Sequence, residues 1–135
     1  MRLSTHFTRF CIAMAIVILF ASGSLVQAKP YWFESYQRAV QLVDAGRAED
    51  ATAALSLLIE ERPTPVAAFR VPGSRFIDYL PYYQQARAHL QLGDLEAAAS
   101  NLSLSDAYGT LKKSARHDEE YSELIKAVGS RTARK

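Results

Sequence analysis

One helical pattern occurs twice in this chain, and that repetition limits its folding more than any other feature. At a spacing of 47 residues, Tyr36 superposes on Tyr83, Gln37 on Gln84, Ala39 on Ala86, Gly46 on Gly93, Glu49 on Glu96, Ala51 on Ala98 and Leu55-Ser56-Leu57 on Leu102-Ser103-Leu104. Small Ala39 and Ala86 let a first helix approach a second, Gly46 and Gly93 supply the tight turn between them, and Ala51 and Ala98 fall where the second helix packs closest. Leu55 and Leu102 then fill the seam. Such a chain is expected to form two alike helical hairpins.

Helical spacing governs the rest of the sequence from Lys29 onward, and no stretch alternates as a strand does. Tyr31-Trp32-Phe33, Tyr36, Ala39, Val40, Leu42 and Val43 recur at steps of three and four until Gly46, which predicts a first helix over about 31–45. Ala48, Ala51, Ala54, Leu55, Leu58 and Ile59 predict a second over 48–61, stopped by Arg62-Pro63. Pro63, Pro65, Pro72 and Gly73 then punctuate 63–75, which is expected to be a loop insertion without regular structure. A third helix starts near Asp78 as N-cap, with Pro81 in its first turn, and runs to Leu92. A fourth follows from Leu95 to about Ser105, and a fifth spans Leu111 to Val128 as a C-terminal capping helix. Residues 129–135 form a basic tail with nothing to bury, expected to be disordered. The fold class is all-α.

These residues resemble the tetratricopeptide repeat, a helical hairpin with a degenerate signature of small and aromatic residues. In the second copy Tyr82, Ala86, His89, Gly93, Ala98 and Leu102 match in type and spacing. In the first, Ala39, Leu42, Gly46, Ala51, Leu55 and Pro63 match, while Ser35 and Arg38 depart from the pattern, as Gln85 does in the second. The family's period is 34 residues, so the wider spacing here implies an insertion, which 63–75 can supply. The resemblance implies a non-enzymatic scaffold or adaptor whose concave face holds a peptide or a partner helix. On that alignment the groove positions are Tyr36, Val40 and Asp44 in the first hairpin and Tyr83, Arg87 and Gln91 in the second. An equally weighted reading makes Tyr36 and Tyr83 interhelical packing and Arg87 a solvated charge. Phe69, Arg70 and Arg75 of the insertion are candidate loop contacts; against this stands a spacer whose Val66 and Phe69 pack on the third helix. Two hairpins leave open ends, which the fifth helix, a partner or a second copy of the chain has to cover.

The first 28 residues follow a different logic. Arg2 and Arg9 precede an uncharged apolar run from Phe10 to Ala21, and Val26-Gln27-Ala28 ends in small and polar residues. This is the layout of a secretory signal peptide cleaved after Ala28. The rival reading joins residues 10–28 into an uncleaved membrane anchor with the arginines on the cytoplasmic side. Either way the remainder is expected outside the cytoplasm, periplasmic or secreted, and the membrane is engaged only through this segment. Beyond it the chain carries equal numbers of basic and acidic residues, without the basic surplus that nucleic-acid binders show. The sole cysteine, Cys11, lies inside the apolar run, which leaves the exported part without a thiol.

No catalytic constellation is legible. His89 occupies an aromatic position of the repeat, and His117 with Glu120 one turn away reads as an exposed charge pair rather than a metal site. Asn101-Leu102-Ser103 has the form of a glycosylation acceptor, but Leu102 belongs to the helical seam. The chain is therefore expected to be no enzyme, to need no cofactor or metal, and to bind a protein or peptide, with no nucleic-acid partner.

Overall fold

The computed structural model describes residues 31–114 and 117–134. The signal or anchor reading of 1–28 lies outside the described residues. Two consecutive helices, α1 (Trp32–Asp44) and α2 (Ala48–Glu61), are followed by strands β1 (Val66–Val71) and β2 (Arg75–Tyr79), then α3 (Pro81–Leu92) and α4 (Leu95–Tyr108). A single 3-10 turn at Leu111–Lys113 leads to α5 (Asp118–Thr132).

The repeat is visible bond for bond at the two helix turns. Gly46 N–H donates to Val43 and Arg47 N–H to Leu42; 47 residues later Gly93 N–H donates to Leu90 and Asp94 N–H to His89. Both glycines stand at left-handed φ, +73° and +77°. This is the Schellman closure, which satisfies the last carbonyls of a helix while reversing the chain. Behind the turns, Ala39, Ala51, Ala86 and Ala98 are completely buried, as expected of contacts where helix axes come close.

A first core cluster gathers Tyr36, Val43, Ala51, Leu55 and Leu58 of the first helix pair with Tyr79 of β2 and Ala88 of α3. A second gathers Leu80, Tyr83, Ala86, Ala98 and Leu102 with Leu111, Leu124 and Val128. The expected capping helix thus lies over the second pair. Ile125 of the same helix is 47% exposed.

The insertion corrects the all-α expectation: the fold is mostly helical with one small antiparallel sheet. The unstructured loop assigned to 63–75 is a β-hairpin with register Val71–Arg75, Arg70–Phe76, Phe69–Ile77 and Val66–Tyr79. The prolines that argued against regular structure sit outside the strands, Pro65 just before β1 and Pro72 in the turn with Gly73 (φ +84°) and Ser74 (φ +57°). Between Val66 and Phe69, β1 carries an extra residue, a β-bulge with Ala68 at φ +51°. Asp78, expected as the N-cap of the third helix, is a strand residue that clamps this bulge. Its Oδ1 accepts Ala68 N–H at 2.8 Å and its Oδ2 accepts the Ser114 hydroxyl at 2.7 Å. The third helix begins at Pro81, after Leu80.

Three other boundaries differ from expectation. α4 runs past Ser105 to Tyr108, whose ring stacks on Tyr82, and ends only at left-handed Gly109. The fifth helix splits into the 3-10 turn and α5. The tail expected to be disordered from 129 is helical to Thr132, because Gly129 is tolerated inside α5 and Arg131 donates to the Leu90 carbonyl at the C-terminal end of α3, 3.3 Å away. No helix among the described residues is long and apolar enough to cross a membrane.

Candidate functional site

The six positions aligned as one groove are divided among separate surfaces. Tyr36 is buried, and its hydroxyl accepts Leu80 N–H at 3.0 Å. Burial pushes this hydroxyl above the ordinary tyrosine range. Tyr83 is buried too, its hydroxyl donating to Glu120 Oε2 at 3.0 Å. Both rings therefore serve interhelical packing, the second of the two readings.

Arg87 and Gln91 act as braces. Arg87 donates to Asp44 Oδ1 at 2.9 Å and to Gln84 Oε1 at 2.8 Å, and Gln91 Nε2 donates to the Val43 carbonyl at 2.9 Å. These bonds tie α3 to the end of α1. A carboxylate partner for Arg87 has to displace Asp44, so the arginine is neither an open groove position nor a merely solvated charge.

The loop contacts also separate. Phe69 is half-buried with its ring 5.0 Å from Trp32, edge on, in an aromatic group continued by Tyr79 at 5.2 Å from Trp32. It packs on α1, not on the third helix; Val66 stays 40% exposed. Arg70 is exposed on the outer face of the hairpin, opposite Phe76. Arg75 reaches the face of α1 as well.

It does so in a groove of about 530 Å³ between α1 and β2, where Tyr36, Val40, Gln37 and Gln41 face Arg75, Phe76, Ile77 and Asp78, with Gln84 and His117 at the end. Tyr36 and Val40 from the aligned set and Arg75 from the insertion converge here. Phe76, 60% exposed, forms the lip. Sequence reasoning passed over Phe76, Ile77 and the glutamines. The signal lay in Phe69-Arg70-Val71 facing Phe76-Ile77 across Pro72-Gly73-Ser74, a proline-glycine turn between short apolar runs.

A second groove, of about 660 Å³, runs between α3 and α5, where Tyr83 and Arg87 face Glu119, Glu120 and Glu123. His117 Nδ1 lies 3.4 Å from Glu120 Oε2, and its ring packs 5.6 Å from that of Tyr83. Partial burial opposes ionisation of Glu120, but the hydrogen bonds from Tyr83 and His117 and the charge of Arg87 outweigh it and hold the carboxyl below its ordinary value. Tyr83 is raised by burial and by that same carboxylate, so its hydroxyl stays a donor. The Tyr83, Glu120, His117 chain is thus built to fasten the first turn of α5 to α3.

Among the described residues no cluster of three or more His, Cys, Asp or Glu stands close enough to hold a metal ion. His89 Nδ1 approaches Asp94 Oδ2 at 3.7 Å beside the second turn. No protein-family model, curated protein or solved structure matches this chain.

Proposed function

We propose that this protein is a non-enzymatic interaction scaffold of the tetratricopeptide-like kind, acting outside the cytoplasm and holding a segment of another protein against the face formed by α1 and the β-hairpin. The observation that carries the reading is the convergence of Tyr36 and Val40 with Arg75 in one groove, from parts of the chain that sequence reasoning had singled out separately. The matching turn bonds at Gly46 and Gly93 support the repeat assignment. The groove's chemistry suits a polypeptide: glutamine amides offer donors and acceptors, Val40 and Ile77 an apolar floor, Phe76 a large contact area and Arg75 a cation without an ion pair among the described residues. Arg87 and Gln91 contribute by holding α1 and α3 in register beneath it. The apolar leader delivers the chain to its compartment.

Photo-crosslinking from position 41 in the native compartment, followed by affinity capture, tests this. Val40→Asp and Arg75→Glu are each expected to reduce recovery of the cross-linked partner at least fivefold while leaving the helical circular dichroism unchanged. Recovery from both variants equal to that from the unsubstituted chain overturns the reading. N-terminal sequencing of the same sample is expected to begin at Lys29, whereas a membrane-bound chain starting at Met1 replaces the secreted scaffold by an anchored assembly factor.

A further inference from the structure

The groove beside α1 is touched by four consecutive residues of β2, Arg75 to Asp78. Strand side chains alternate between two faces, so a groove lying on a sheet face meets every second residue. A groove that meets four in succession lies along the strand's edge. β1 takes one edge of β2 through the Val71–Arg75, Arg70–Phe76 and Phe69–Ile77 pairs, so among the described residues the other edge is unpaired.

Along the groove the main-chain groups of Arg75 to Ile77 that point away from β1 meet no other described element. Among the described residues, no bond from outside the hairpin reaches the backbone of Arg75, Phe76 or Ile77. Three residues beyond Ile77, Leu80 N–H donates to the Tyr36 hydroxyl, which ties the chain to α1 just past the strand. An open edge flanked by an exposed phenyl ring is a template for another strand, since paired backbone groups gain more than solvated ones beside apolar contact. A helix has no use for those groups, because its own are already paired.

We propose that the groove takes its partner as an added strand: an extended peptide segment pairs through its main chain with β2 at Arg75 to Ile77, rests an apolar side chain on Val40 and sets a carboxylate against Arg75. This rests on reading the groove as the partner-binding face. The carboxylate follows from Arg75, exposed and without an ion pair among the described residues, while both oxygens of neighbouring Asp78 are occupied by Ala68 and Ser114. The bulge at Ala68, clamped by Asp78, fixes the twist of the hairpin and with it the direction in which the edge faces.

Random heptapeptides displayed on phage, panned against the purified full chain, supply the probe, and the recovered peptides are synthesised with and without main-chain N-methylation. N-methylation at the residues that pair with β2 is expected to weaken binding at least tenfold, and at the alternate residues to leave it unchanged. Amide exchange is expected to slow on binding at those residues of Arg75 to Ile77 whose N–H points away from β1, and Arg75→Glu to exchange a preference for acidic peptides for one for basic peptides. Peptides that bind in the groove with no sensitivity to N-methylation, or that protect only α1 and α3, overturn strand addition while the binding face stands. Recovery of no peptide, or of peptides that protect α4 and α5 instead, overturns both. Concentration-dependent self-association abolished by Phe76→Pro makes a second copy the occupant and also overturns the proposal.

Discussion

The two helix pairs share a turn and a seam, yet the first is closed and the second is not. Ala39, Val43, Ala51 and Leu55 are 0% exposed, sealed by α3, by Tyr79 of the hairpin and by bonds that cross between elements. Tyr79 donates to the carbonyls of Leu58 and Arg62, and Gln85 Nε2 donates to Ser56 Oγ at 2.9 Å. At the other end Leu102, Leu124 and Val128 retain 6–8% exposure, and a largely apolar groove of about 630 Å³ stays open between α4 and α5, with Ile125 on its rim. The difference teaches that an apolar helical face is finished by the number of elements that converge on it. Here the inserted hairpin supplies to the first pair what a single capping helix only partly supplies to the second.

Truncation of the two cores breaks or sharpens this contrast most strongly. Leu55→Ala leaves a cavity among fully buried neighbours and is expected to cost about 3–5 kcal/mol in urea unfolding, whereas Leu124→Ala, beside the open groove, can relax and is expected to cost about 2 kcal/mol. Amide exchange in the Leu124→Ala variant is expected to quicken in α5 and to leave α1 and α2 protected. Equal costs remove the distinction between a closed and an open end.

The turns probe the likeness rather than the difference. An added Cβ at Gly46 or Gly93 meets no atom within 4 Å, so the cost of alanine at either comes from the left-handed backbone alone. Gly46→Ala and Gly93→Ala are each expected to lower stability by about 1–2 kcal/mol, equally within error, in the same urea assay. Unequal losses disprove the equivalence of the two turns.

The smallest effect concerns the fastening of α5. Glu120 is held below its ordinary pKa of 4.5, so its contribution is complete above that value and is lost as pH falls through the folded-state pKa. An amide NMR titration through the acid range is expected to show α5 loosening before α1 and α2, and Glu120→Gln to remove that early step. Simultaneous loss in all helices assigns the acid transition to another group.

Much of the helical framework was legible because it rests on local periodicity. The second helix was read at its observed limits, and Gly46 and Gly93 marked both turns, since only glycine adopts that φ without strain. The hairpin was missed because its strands are short and its prolines flank them, and helical neighbours then drew Asp78 into a capping role. The candidate groove was half legible. Val40 and Arg75 were named separately, but whether Arg87 faces a ligand or Asp44 depends on a contact between residues 43 apart in sequence.

The sequence by itself determined the repeated small residues, the paired glycine turns and the apolar run from Phe10 to Ala21, because each follows from local sterics or the hydropathy of consecutive residues. Tertiary structure alone decided that the insertion folds into two strands, that Tyr36 and Tyr83 turn inward and that β2 lines a groove with α1. Those outcomes rest on which distant surfaces meet: Tyr79 becomes a core residue only once α2 accepts its hydroxyl, and Asp78 becomes a clamp only with the bulge on one side and Ser114 on the other.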